Sequence, residues 1–158
     1  IATWGLGHSV IVEKSSVSGG IGLGSSLIFE ALTYLTFGPL NEGIDVSLHP
    51  VAFAGWIGMF VTAMNLLPIG QLDGGHIAYA ILGRRQRPFS AVIISVLMAL
   101  GVFAWPGWFI WAALISILGL WHPPIEDERE ELDWRRRLTA IAALAVFVLT
   151  FMPAPFYI

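Results

Sequence analysis

The sequence predicts an all-α membrane protein, a polytopic helical bundle with one helix broken in mid-course and a short loop/β region at its N-terminal end. Three observations carry that expectation. Hydrophobic residues make up 56% of the 158 and charged residues only 12%, so a water-facing globule of this size could not hide its apolar surface. The charges also leave long gaps, at residues 46–72, 74–83, 88–125 and 138–158. Between the first two gaps stands the stretch NLLPIGQLDGGH, residues 65–76, which sets one carboxylate beside a proline and three glycines where a continuous helix would otherwise run.

Residues 1–24 read as a loop-rich N-terminal segment. Ser15-Ser16-Val17-Ser18-Gly19-Gly20 has loop composition, and Val10-Ile11-Val12 suits a short strand. Gly20, Gly22 and Gly24 lack a Walker lysine or a strand–turn–helix setting, so they read as a flexible loop and not a phosphate cradle. Residues 25–45 are expected to hold an amphipathic or membrane-associated helix and a loop. Ser25-Ser26 would cap it, Leu27, Ile28, Ala31, Leu32 and Leu35 would form its apolar face through about Phe37, and Glu30 would lie on the surface.

Residues 46–158 form the expected transmembrane domain of about four membrane segments. A span needs about 20 apolar residues at 1.5 Å each. His49 before Pro50 marks a helix start. The stretch 51–83 exceeds one straight span, and Pro68 should break the entering helix near residues 66–68, because it lacks an N–H and clashes with the preceding turn. Gly70, Gly74 and Gly75 allow a turn before a second helix over about residues 74–82. The run 88–125 carries Trp105-Pro106-Gly107-Trp108 near its middle, which predicts a helical hairpin with arms 89–105 and 108–121 and tryptophans suited to a membrane–water interface. His122 before Pro123-Pro124 marks a helix end, and a last segment covers about 138–151.

The charges orient this arrangement. Seven of the eight basic residues are arginines, Arg84, Arg85 and Arg87 in one cluster and Arg129, Arg135, Arg136 and Arg137 in the other. They sit at the ends of apolar runs, which excludes a broad nucleic-acid-binding face. A hairpin separates them, so both clusters share one face of the membrane, and the positive-inside rule makes the loops 84–87 and 129–137 cytoplasmic. The mixed charges of residues 125–137 read as a solvated connector. No cysteine is present, so neither disulfides nor cysteine-bound metal contribute. The chain opens Ile1-Ala2-Thr3 without a methionine or a basic leader, and reads as a fragment, a processed product or a truncated gene.

Asp73 is then the residue to explain. It precedes about ten helical residues that end at Arg84, which sets it about 15 Å below the cytoplasmic edge. Irregular backbone at that depth has to be buried in protein or line a wet cavity. A carboxylate there is expensive and by default functional. A metal, a proton, or hydrogen bonds from the loop and the helix start would each meet the cost. An oxygen ligand at a helix start with glycines beside it suits a hard or borderline metal such as zinc. The plain alternative is that Asp73 caps the second helix.

Asn65-Leu66-Leu67-Pro68 followed by Leu72-Asp73-Gly74-Gly75 resembles the N-x-x-P-x-x-x-L-D-G-G signature of the site-2 protease family of intramembrane zinc metalloproteases. His49-Pro50 and Ala54-Gly55-Trp56 are also similar to bacterial and archaeal members. The resemblance covers about residues 49–83 and, more loosely, the rest of the chain. It implies that Asp73 is a zinc ligand and that Asn65 holds substrate backbone or helps stabilise the oxyanion. It implies that Pro68 shapes the active-site loop and that Gly74 and Gly75 let the second helix approach. It implies a Zn2+ cofactor, a transmembrane protein substrate cleaved by a zinc-activated water, and a lipid bilayer as solvent.

The family's H-E-x-x-H helix, which supplies two histidines and the general base, is absent from these residues; the four histidines are His8, His49, His76 and His122. The expected function is therefore that of the C-terminal portion of a site-2-type metalloendopeptidase, inactive alone. His76, three residues after Asp73, is a candidate substitute ligand or a cavity-lining residue. A non-catalytic relative that binds or holds membrane partners is the alternative, and a transporter with a broken helix is a third reading.

Overall fold

The computed structural model describes residues 1–13, 21–41, 43–118 and 133–157. These fall into two compact units, residues 1–62 with 149–158 and residues 63–148. The described part is mostly helical, with two small antiparallel strand pairs.

In the first unit, α1 (Ala2–Gly7) precedes β1 (Val10–Glu13), and β1 pairs with β3 (Ile44–Ser47) in the register Val10–Ser47 to Glu13–Ile44. The strand expected at residues 10–12 is present; α1, inside the segment expected to be loop, and β3 are additions. β2 (Gly22–Leu23) pairs with β4 (Phe156–Tyr157), so Gly22 belongs to a strand. Ser26 caps α2 (Leu27–Phe37) as the composition suggested, its hydroxyl accepting from the Phe29 N–H at 3.3 Å. Gly38, at φ +74°, ends the helix in a conformation that favours glycine.

α3 (Pro50–Asn65) begins with proline, whose missing N–H costs nothing in a first turn. His49 caps it twice: Nδ1 accepts from the Val51 N–H at 3.2 Å and the carbonyl accepts from Phe53 at 3.0 Å. The core of this unit is Leu6, Phe29, Ala52, Trp56 and Met152. Trp56 is its centre. Its indole N–H donates to the Gly24 carbonyl at 2.7 Å, and its ring stacks with Phe53 and Phe60 and meets Phe156 edge-on. A cleft of about 890 Å³ opens in the same unit beside Phe29, Glu30, Tyr34, Asp45 and Tyr157, and no residue of the 65–75 motif lines it. Glu30 is exposed, as expected.

In the second unit, α4 (Asp73–Leu82) leads through a 3₁₀ turn (Gly83–Arg85) into α5 (Gln86–Phe103). The cluster expected to be a loop at 84–87 is therefore helical, because Gly83 takes up the change of direction at φ +55° and the arginines can coil at once. Asp73–Phe103, with mean hydropathy 1.6, is the one stretch among the described residues long and apolar enough to cross a membrane. Leu27–Phe37, Pro50–Asn65 and Gly107–Ile117 are apolar but shorter.

The hairpin at 104–106 is present, with α6 (Gly107–Leu118) packed back on α5. A Cβ on Gly101 would sit 2.9 Å from the Phe109 ring, so the two helices touch closely there. Trp108 is fully buried and meets Trp105 edge-on at 5.9 Å. α7 (Trp134–Thr150) starts four residues before the expected segment, because Asp133 caps it through Oδ1 (Arg136 N–H, 2.8 Å) and its carbonyl (Arg137 N–H, 3.1 Å). His122, Arg129 and the expected end of the second hairpin arm lie outside the described residues.

Candidate functional site

The break in the helical path falls where the proline predicted it. α3 stops at Asn65, residues 66–72 form irregular turns, and α4 begins at Asp73. Short backbone bonds hold the loop: Leu67 N–H to Met64 O, Ile69 N–H to Leu67 O at 2.8 Å, and Leu72 N–H to Ile69 O. Leu67 and Ile69 are buried and anchor it, and Gly70 turns it at φ +56°.

The two glycines of the motif set how closely α4 meets this loop. A Cβ on Gly74 would strike the Leu66 carbonyl and lie 2.6 Å from the Leu67 oxygen; one on Gly75 would strike the Gly70 carbonyl and lie 2.8 Å from the Ile69 carbonyl carbon. Both obstacles are backbone, which cannot rotate aside. The first turn of α4 therefore rests directly on loop carbonyls, and only glycine permits it. Since Leu66 touches Gly74, the neighbouring Asn65 and Asp73 are brought to the same end of the loop.

Gly74, Gly75, Ala78 and Tyr79 form the buried face of α4. Asp73, His76 and Ala80 lie on its exposed face, and Asn65 is exposed at the end of α3. Leu72, not Asp73, occupies the N-cap position: its carbonyl accepts from the His76 N–H at 3.0 Å, and no side chain caps this end. Capping is therefore not what Asp73 does. Its carboxylate projects outward from the first helical turn, where the helix dipole favours a negative charge. Among the described residues no three histidine, aspartate or glutamate side chains come together as a metal site. The residues present thus fit one ligand position, a carboxylate at a helix start, and do not form a complete zinc centre.

The model of Peptidase family M50 matches residues 13–105. The chain belongs to family M50, the site-2 protease family. The match runs from the end of β1 to the α5–α6 turn and so includes the whole loop from Asn65 to Gly75. Among the relatives of this M50 chain, a probable chloroplastic zinc metalloprotease of Arabidopsis thaliana, EGY1, is 34% identical over 131 residues, 81% of this chain and 24% of its own length. A second from the same plant, EGY2, is 32% identical over 120 residues, 74% of this chain and 21% of its own. A probable zinc metallopeptidase, EGY3, also of Arabidopsis, reaches 47% over 60 residues. The chain spans about a fifth to a quarter of the length of EGY1 and EGY2. No solved structure matches it.

Sequence reasoning found the motif and the helix break. The spacing of three residues also put His76 and Asp73 on one side of α4, and both are exposed there. What sequence reasoning missed is that the glycines meet carbonyl oxygens in particular, which follows from tertiary contact alone.

Proposed function

We propose that this M50 chain is the C-terminal portion of an intramembrane metalloprotease that cleaves peptide bonds of transmembrane protein substrates. The observation that carries the reading is the proline-broken, glycine-packed loop that turns Asp73 outward at the start of α4. In this reading Asp73 supplies one carboxylate ligand to zinc, and the remaining ligands and the general base come from outside these residues. Zinc, when bound, supplies Lewis acidity and lowers the pKa of water. Asn65 presents its amide to substrate backbone or to the developing oxyanion, a contact that acts on the transition state. Pro68, Gly74 and Gly75 keep the loop in register.

The bilayer belongs to the same proposal. α5 is 18 residues, about 27 Å long and close to the hydrocarbon thickness. Large apolar side chains lie exposed along α5 (Val92, Val96, Val102), α6 (Ile110, Leu114, Ile117) and α7 (Leu138, Ile141, Leu144, Val148). Lipid is the solvent that accepts such a surface without cost. The shorter α3 and α6 complete the several segments of the membrane domain, with Arg84–Arg87 and Arg135–Arg137 at its cytoplasmic side.

The test is substitution of Asp73 by Asn or Ala in the longer protein, reconstituted with a single-span substrate. Cleavage should stop while insertion continues; full cleavage by the Ala variant would sink the reading. A non-catalytic relative is the second reading, favoured by the absence of H-E-x-x-H from these residues. Metal analysis separates the two: stoichiometric zinc in the longer protein, lost on Asp73→Ala, supports the protease, and no zinc in either supports the relative.

A further inference from the structure

The cleft of the first unit holds chemistry that the protease reading leaves unused. It measures about 890 Å³, and no residue of the 65–75 loop lines it. One wall is α2, which contributes Phe29, Glu30 and Tyr34; the others come from the two strand pairs and from Phe53 of α3. Glu30 and Asp45 are the charged side chains of this lining, and they stand on different elements, α2 and β3. Both are exposed. Among the described residues neither meets a cation. Asp45 Oδ1 accepts the N–H of Val46 at 2.8 Å, which leaves Oδ2 open, and Glu30 makes no side-chain hydrogen bond or ion pair there. Aromatic rings supply much of the remaining wall: Phe29, Phe53, Tyr34 and Tyr157, the two tyrosines 60% and 56% exposed.

We propose that this cleft binds a basic segment of polypeptide in extended conformation, with arginine or lysine side chains directed at Glu30 and Asp45. Two carboxylates without a cation between low-dielectric walls concentrate a negative potential in the cleft. Ring faces attract the same charge, and guanidinium stacks on them. The apolar stem of arginine or lysine covers such walls while its head stays at the carboxylates. The backbone around the cleft selects a polypeptide. Both strand pairs border it and each has only two strands, so every strand has one side without a ladder partner among the described residues. Those N–H and C=O groups can bond an added strand. The volume lies within the range of ordinary ligand pockets. The inference goes beyond the protease reading and does not depend on it.

The experiment uses the full chain in nonionic detergent and fluorescein-labelled, capped heptapeptides. Each alternates serine and valine, with a pair of inner positions occupied by arginine, glutamine or glutamate. Fluorescence anisotropy gives the affinities. The wild type should bind the arginine peptide roughly three- to thirtyfold more tightly than the glutamine peptide, as two partly exposed ion pairs allow, and the glutamate peptide least. The arginine preference should shrink as salt rises. E30Q/D45N keeps the size of both side chains and the acceptor for the Val46 N–H, and should bring the arginine and glutamine peptides to parity. D133N, at an exposed carboxylate of the second unit, should keep the preference. Y34R, at an exposed lining position, puts a cation into the cleft and should abolish it. Circular dichroism establishes that the variants fold; if E30Q/D45N does not, Y34R and the salt dependence decide.

Equal affinity of the wild type for the arginine and glutamine peptides would overturn the proposal. So would a preference that survives folded E30Q/D45N or Y34R, or one that is indifferent to salt. Displacement by argininamide as effective as that by unlabelled arginine peptide would overturn it too, because the ligand would then be a free organic cation. No readout involves proteolysis or Asp73, so failure here leaves the protease reading standing, and an inactive protease leaves this site standing.

Discussion

Adding one methyl group at Gly74 tests the loop most directly. An alanine Cβ there would fall on the Leu66 carbonyl and 2.6 Å from the Leu67 oxygen. Ordinary contact requires about 3.5 Å, so the loop or the helix must retreat by more than about 1 Å. Such overpacking costs about 1–3 kcal/mol, offset by the roughly 1 kcal/mol that alanine gains over glycine within a helix. The net expectation is a loss of about 0–2 kcal/mol, with a larger effect on chemistry, since a displacement of about 1 Å at reacting groups can cost a hundredfold.

Gly58, in α3, is the matched control. A Cβ there meets nothing within 4 Å, so Gly58→Ala should be neutral or stabilise by about 0.5–1 kcal/mol. Thermal unfolding of both variants in detergent gives the stability difference, and cleavage by the longer protein gives the functional one. Gly74→Ala with wild-type stability and wild-type kcat/KM would show that the contact with the loop backbone does not position Asp73.

Other perturbations probe the rest of the fold. Trp56→Phe keeps most of the ring but strands the buried Gly24 carbonyl, and should cost about 1–3 kcal/mol of unfolding free energy in the first unit. Trp108→Ala empties a fully buried site in the α5–α6 hairpin and should cost about 3–5 kcal/mol, whereas Trp134→Ala, at a side chain 66% exposed, should cost well under 1 kcal/mol in denaturant titrations. Asp133→Ala removes the Oδ1 cap of α7 and should cost about 1 kcal/mol, read as early loss of protection of the Arg136 and Arg137 amides in hydrogen exchange.

What the sequence made legible was local. Ser26 before an apolar run, His49-Pro50 at a helix start, Pro68 past a helix end and Trp105-Pro106 between two apolar stretches each act on the backbone within one turn. Each boundary duly lies within a few residues of its expected place. The features that escaped depend on residues distant in the chain. β2 and β4 are two residues each, too short for any periodicity, and only their pairing defines them. The full burial of Trp108 likewise depends on tertiary packing. At the site, the motif named Asp73 and the glycines, while the exposure of Asp73 and the carbonyls that Gly74 and Gly75 meet follow from how the loop folds under α4.

The pairing of Gly22 with Tyr157 also fixes an order of events during synthesis. The first unit takes its core residue Met152 and its strand β4 from residues that follow the second unit in the sequence. On the ribosome, residues 63–148 therefore emerge while the first unit still lacks these pieces, and Trp56 waits for Phe156 until the second unit has been made. A chain ending before residue 149 would leave β2 unpaired and the core of Leu6, Phe29 and Trp56 without Met152.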